Sequence, residues 1–189
     1  GLIEATRSED ELAGVLAHEI AHVTQRHLAR AIDASQKQSI LSTAIMLGAV
    51  IAGAAGAGSD AIQGAMAVAQ GTQAQQQINF TRDNEYEADR IGINALANAG
   101  FDPSGMASFF EVMSRNNTIG SMRVPEFLKT HPVTSSRIAE ARNRARFFNT
   151  VNTDDTINYG ISRARLIVSN QKSPENAVKF YTQKEYRYL

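Results

Sequence analysis

A run of 22 residues, from Gln38 to Ser59, carries no charge. Its most apolar part, residues 40–57, is 18 residues of Ile, Leu, Val, Met, Ala and Gly, broken only by Ser42 and Thr43. That length lies at the edge of the roughly 17–25 residues with which a helix crosses a bilayer. Three readings stay open. The stretch is a buried helix pair under or beside a functional site, an apolar lid touching a membrane surface or another protein, or a membrane span. Ala and Gly dominate it, and no Lys/Arg cluster or Trp/Tyr belt flanks it. Gly48, Ala52 and Gly56 form a ridge of small residues that permits close helix packing in each case. A second low-charge segment runs from Asp60 to Gln77. The pattern predicts two helices joined around Gly56, Gly58 and Ser59.

The rest of the chain also reads as helix. Ser8-Glu9-Asp10-Glu11 has the form of a capping box, in which Ser8 accepts from a free backbone N–H and Glu11 reaches back. Leu12, Val15, Leu16, Ile20 and Val23 then recur at helical spacing, predicting one half-buried helix over 9–33. Another helix is expected over 81–99, stopped by Gly100. Asp102-Pro103 starts the next, to about residue 115. Residues 116–130 read as a loop. His131-Pro132 leads through Thr134 into a basic helix ending near Phe148. Asp154 or Asp155 caps a helix through Val168, and Ser173-Pro174 opens a last one. No segment alternates with period two for long, so strands are short or absent.

Lys+Arg and Asp+Glu both number 19, which removes the broad positive footprint of a nucleic-acid binder. The absence of Cys excludes disulfides, thiolate metal ligands and a Cys nucleophile. Hydrophobic residues make up 43%, too many for a disordered chain. Both ends read as cut, so the expectation is an excerpt of a longer protein.

The chemistry is concentrated in His18-Glu19-Ile20-Ala21-His22. Two His at i and i+4 lie one above the other on a helix face. Their imidazoles can converge on one Zn²⁺ at about 2.0–2.1 Å. Glu19 borders that position and can carry a proton from an attacking water to a leaving amine. Two solvent-facing His beside a salt-bridging Glu is the bland alternative. A half-buried helix argues against it, because buried imidazoles need partners. Ala17 and Ala21 keep the surface low for a substrate. A catalytic zinc takes three protein ligands plus water. A His six residues after His22 would be one source of the third, but that position is Leu28. His27 is out of register on a continuous helix and reads as a surface or supporting residue. A Glu from a later helix is the other source. Glu85 and Asp89 are i and i+4 on one face: Glu85 can ligate, and Asp89 can accept the free ring N–H of a zinc-bound His. Glu87 reads as a surface charge. Ala88 allows a close helix approach. The bland reading of Glu85 and Asp89 is a solvated face paired with Arg82 and Arg90.

The ordered motifs HEIAHVTQRH, NEYEADRIG and THPVTSSRI resemble the HtpX-like and BepA-like family of zinc metallopeptidases, a gluzincin group. The likeness covers about residues 9–148 and is nearest to the soluble periplasmic branch, whose members add tetratricopeptide repeats. It implies a mainly α, gluzincin-type metallopeptidase domain over 1–150 and the start of a tetratricopeptide-like repeat over 151–189. It implies one zinc ion per chain on His18, His22 and Glu85, with Glu19 as base and Asp89 as supporting carboxylate. It also places His131 near the metal, as an oxyanion stabiliser or as a ligand holding the enzyme off. The alternative is that His131 merely caps its helix. Arg137 either makes a structural ion pair or binds substrate. The implied activity is hydrolysis of misfolded or stalled cell-envelope or outer-membrane proteins in a bacterial periplasm. Implied contacts are the outer-membrane assembly machinery and the membrane through 40–57. A latched zinc protein acting as chaperone or scaffold is the competing reading. The family's strand before the HExxH helix, which holds peptide by β-augmentation, is not seen in residues 1–7.

Overall fold

The computed structural model describes residues 2–56, 58–118, 127, 130–149, 154–171 and 173–182. Most of the loop expected over 116–130 lies outside them. Among the described residues all regular structure is helical. The helices are α1 (Leu2–Ala5), α2 (Glu9–Thr24), α3 (His27–Ala54), α4 (Ser59–Asn98), α5 (Ser104–Thr118), α6 (Ser135–Ala145), α7 (Ile157–Ser169) and α8 (Pro174–Thr182). Two compact units can be distinguished, Gly1–His18 with Arg90–Leu189, and Glu19–Asp89. Helices α2 and α4 each contribute to both.

The first unit holds the apolar core. Val15 of α2, Ile93 of α4, Met106, Phe109, Phe110 and Met113 of α5, and Ala141 of α6 are buried together. Helix α5 reaches the start of α2 at Gly105, where an added Cβ would stand 2.5 Å from the Asp10 carbonyl oxygen and 2.6 Å from its carbon. Backbone cannot yield there as a flexible side chain can. Gly105→Ala is expected to cost about 2 kcal/mol and to lower Tm by roughly 4–8 °C, read by thermal circular dichroism. An unchanged Tm would show that the two helices can part.

Local signals set several helix ends. Gly100 takes φ 85°. Phe101 N–H donates to Leu96 O and Gly100 N–H to Ala97 O, the paired bonds of a Schellman stop. Asp102 Oδ1 accepts from Ser104 N at 2.8 Å, Thr134 Oγ1 from Arg137 N, and Ser173 Oγ from Asn176 N.

Three expectations are corrected here. Helix α7 is capped by Thr156, whose Oγ1 accepts from Tyr159 N. Asp155 instead accepts from Glu9 N at 2.7 Å, while Glu9 Oε2 accepts from Thr156 N, so two helix starts cap each other. Ser8 caps α2 as expected, but Glu11 reaches one residue further back, to Arg7 N at 2.7 Å. The helix expected over 9–33 is two helices. Arg26 between them adopts φ 55°, ψ 38°, the left-handed region.

The apolar stripe on α2 also faces the other way from expectation. Val15 is buried, but Leu16, Ile20 and Val23 are 50%, 58% and 77% exposed. The buried face is built from Glu11, Gly14, Val15, Ala17, His18 and Ala21. Small residues there let neighbouring helices come close, as at Gly92, where an added Cβ would stand 3.2 Å from the Ala17 backbone.

In the second unit α3 and the first part of α4 follow each other through residues 55–58, as the glycines predict. The expected helix over 81–99 is the second half of α4, continuous with the low-charge segment before it. The apolar stretch is not a buried core. Ile40, Leu41, Met46, Leu47, Val50 and Ile51 are all exposed. Helix α3 is long and apolar enough to cross a membrane, and none of its most apolar 18-residue window is buried.

Candidate metal centre

Helix α2 carries His18 and His22 one turn apart on its less exposed side. In the first unit, His18 is fully buried, and its Nε2 stands 3.2 Å from Nδ1 of His131. Phe110 and Phe127 pack edge-on against the His18 ring, with centroids 6.3 and 6.2 Å away. Phe127 stacks on His131 at 5.0 Å. The turn that presents His131 is held from behind. Arg137 is buried, its Nη1 donates to Pro132 O at 2.7 Å, and its guanidinium lies 4.8 Å over the Phe110 ring. Arg137 thus ties the His-Pro turn to the aromatic wall around His18.

In the second unit, His22 Nε2 lies 3.3 Å from Glu85 Oε1. Glu85 and Asp89 are buried on the same face of α4, beside Ala88. Glu19 sits on α2 between the two His, partly exposed.

These distances bear on a metal. Two ligands of a tetrahedral zinc, each at about 2.0–2.1 Å, stand about 3.3–3.4 Å apart. Both the His18–His131 and the His22–Glu85 spacings fit such an edge. The donor set, imidazoles with a carboxylate and no thiolate, is a common one for catalytic zinc.

Of the two places open to His27, surface or support, it takes the second, and Glu87 pairs with it. His27 is 4% exposed, and its Nδ1 is 2.9 Å from His22 Nδ1, the rings 84° apart. On a straight helix, five residues would turn it by about 140° from His22. The left-handed Arg26 ends α2 and starts α3 on a new axis, which brings the ring back. Glu87 is the surface charge expected, 36% exposed, and it is also paired: its Oε2 accepts from His27 Nε2 at 3.1 Å and from Arg30 Nη1 at 2.7 Å. Burial pushes the His27 pKa below the usual value, against the opposing pull of Glu87. The Arg30 hydrogen bond holds Glu87 below the usual carboxylate range, with His27 adding to it. Sequence spacing could not find this pair, since His27 lies five residues after His22 and Glu87 two after Glu85.

Residues 1–145 match peptidase family M48. The beta-barrel assembly-enhancing proteases of Escherichia coli (strain K12) and Yersinia pestis are both 42% identical to this chain over 168 residues, 88% of the chain and 34% of each relative. The mitochondrial metalloendopeptidase OMA1 of Schizosaccharomyces pombe is 31% identical over 139 residues, 73% of the chain and 37% of that relative. The chain thus spans about a third of the length of these curated relatives. With the family's match covering most of the sequence and the HExxH helix at its centre, the chain belongs to peptidase family M48.

Proposed function

We propose that this chain is the catalytic portion of a zinc-dependent endopeptidase, with one Zn²⁺ on His18, His22 and Glu85. The observation that carries the reading is the 3.3 Å spacing of His22 Nε2 and buried Glu85 Oε1, a metal-ligand edge beside the HExxH glutamate. When bound there, zinc supplies Lewis acidity for the hydrolysis of a peptide bond. The remaining work falls to the chain's own side chains. Glu19 takes the proton of the attacking water and returns it to the departing amine. The Phe110 and Phe127 rings keep bulk water from His18. Asp89 accepts the ring N–H of a zinc-bound His. Arg137 acts by fixing the His131 turn rather than by touching substrate.

The natural substrates in this reading are misfolded or stalled outer-membrane proteins of a bacterial periplasm. The names of the most similar relatives and the resemblance of the motifs support it. The same support extends to contact with outer-membrane assembly machinery. The exposed apolar face of α3 supports peripheral membrane contact through 40–57. Helices α7 and α8 are the start of a tetratricopeptide-like repeat region in the same reading.

A second reading, a latched zinc protein serving mainly as chaperone or scaffold, is favoured by one observation: His131 stands where a fourth ligand would. The test of the metal itself is zinc content of the purified chain by mass spectrometry. One equivalent is expected for the wild type and less than about a tenth of that for Glu85→Gln at micromolar zinc. Retention of full zinc by Glu85→Gln would remove Glu85 from the ligand set.

A further inference from the structure

We propose that His27 is a positioning residue for the metal ligand His22, and that Glu87 anchors it. The proposal rests on the zinc reading above and deepens it.

Three side chains in a line fix the place of each ring proton. A neutral imidazole carries one N–H and one lone pair. If His22 gives its Nε2 lone pair to a metal on the Glu85 side, its proton sits on Nδ1. That N–H points at His27 Nδ1, 2.9 Å away, which must then accept. His27 accepts there only if its own proton is on Nε2. The atom 3.1 Å from His27 Nε2 is a Glu87 carboxylate oxygen, which can only accept from it. Every group in the line thus has one role, and reversing any proton breaks a neighbouring bond. Arg30 donates to the same Glu87 oxygen at 2.7 Å and fixes the far end.

The physical consequence is an oriented and more basic ligand. A metal-bound His usually passes its other ring N–H directly to a carboxylate or carbonyl, which holds the ring and strengthens it as a donor. Here the carboxylate acts at one remove, through a second imidazole. The 84° angle between the rings lets His27 meet the His22 N–H nearly edge-on while keeping its own ring buried. His27 is bonded to His22 on one side and Glu87 on the other, so it acts through its neighbour.

The experiment is zinc affinity of the whole chain by competition with a chromophoric chelator, in wild type, His27→Phe, His27→Asn and Glu87→Ala. His27→Phe keeps the ring volume and removes both nitrogens. It is expected to weaken zinc binding about 10- to 100-fold. His27→Asn places an amide oxygen where Nδ1 was and is expected to recover most of that loss, a rescue that mere core filling would not give. Glu87→Ala is expected to weaken binding up to about 10-fold, and it decides the matter should His27→Phe fail to fold by circular dichroism. Unchanged affinity in His27→Phe, no recovery in His27→Asn, or unchanged affinity in Glu87→Ala would each overturn the proposal. Failure of the wild type to bind zinc at all would instead overturn the zinc reading on which it stands.

Discussion

Glu19→Gln is expected to lose about 10²–10⁴-fold in peptide hydrolysis while keeping its zinc and its melting temperature. Gln matches the volume of Glu and preserves the helix, but it has no basic oxygen to receive a proton from water. Glu19 is partly exposed on α2, between His18 and His22, and contributes little to the core, so folding should not suffer. The measurement is cleavage of an unfolded protein by the purified wild type and variant, each with its zinc content determined. Hydrolysis at wild-type rate with zinc bound would mean that the HExxH glutamate is not the base. It would also turn the zinc from a catalytic into a structural one. Loss of activity together with zinc would show only that Glu19 supports the site.

The second large effect concerns His131. Its Nδ1 stands 3.2 Å from His18 Nε2, the separation of neighbouring ligands on one tetrahedral metal. Phe127 stacks on its face, and its backbone N–H donates to Phe127 O at 2.8 Å, so the ring is held in place rather than merely near. A fourth protein ligand fills the position that substrate and water need. His131→Ala is therefore expected to raise cleavage of an unfolded protein several-fold, with zinc binding weakened by the loss of one donor. A fall of about 10²-fold instead would assign His131 to stabilising the oxyanion of the transition state. The two outcomes have opposite signs, so one assay separates a latch from a catalytic group.

How much of this was legible in the sequence depends on whether the deciding contact is local. The capping of α6 by Thr134 and the stop at Gly100 need only a few consecutive residues, and both stand as read. The pairing of His22 with Glu85 was legible because i, i+4 spacing places His18 and His22 on one face and Glu85 and Asp89 on another. The apolar count on α2 misled. Leu16, Ile20 and Val23 share a face and are exposed. The face that is actually buried is made of Glu11, Gly14, Ala17, His18 and Ala21, which hydrophobic periodicity scores as poor. Close helix approach rewards small residues, and satisfied polar groups bury well, so apolar spacing alone picked the wrong side. His27 was out of reach for a different reason. Its position depends on Arg26 adopting a left-handed conformation that costs roughly 1–2 kcal/mol for a residue with a Cβ. No Gly or Asn marks it. The asparagine or glycine that would normally announce such a break is absent, and only the tertiary arrangement maintains it.

That left-handed residue also makes the contact that aims His22 a local one. His22 and His27 are separated by five positions, whereas His22 and Glu85 are 63 positions apart and His18 and His131 are 113 apart. Closing the longer His22 loop costs about 2 kcal/mol more chain entropy than closing the short one. The ring of His22 can therefore be aimed by a near neighbour before the carboxylate that completes its surroundings arrives from the far end of the helical hairpin. A chain that loses the turn at Arg26 would still be able to bring Glu85 home, but it would meet an imidazole free to spin.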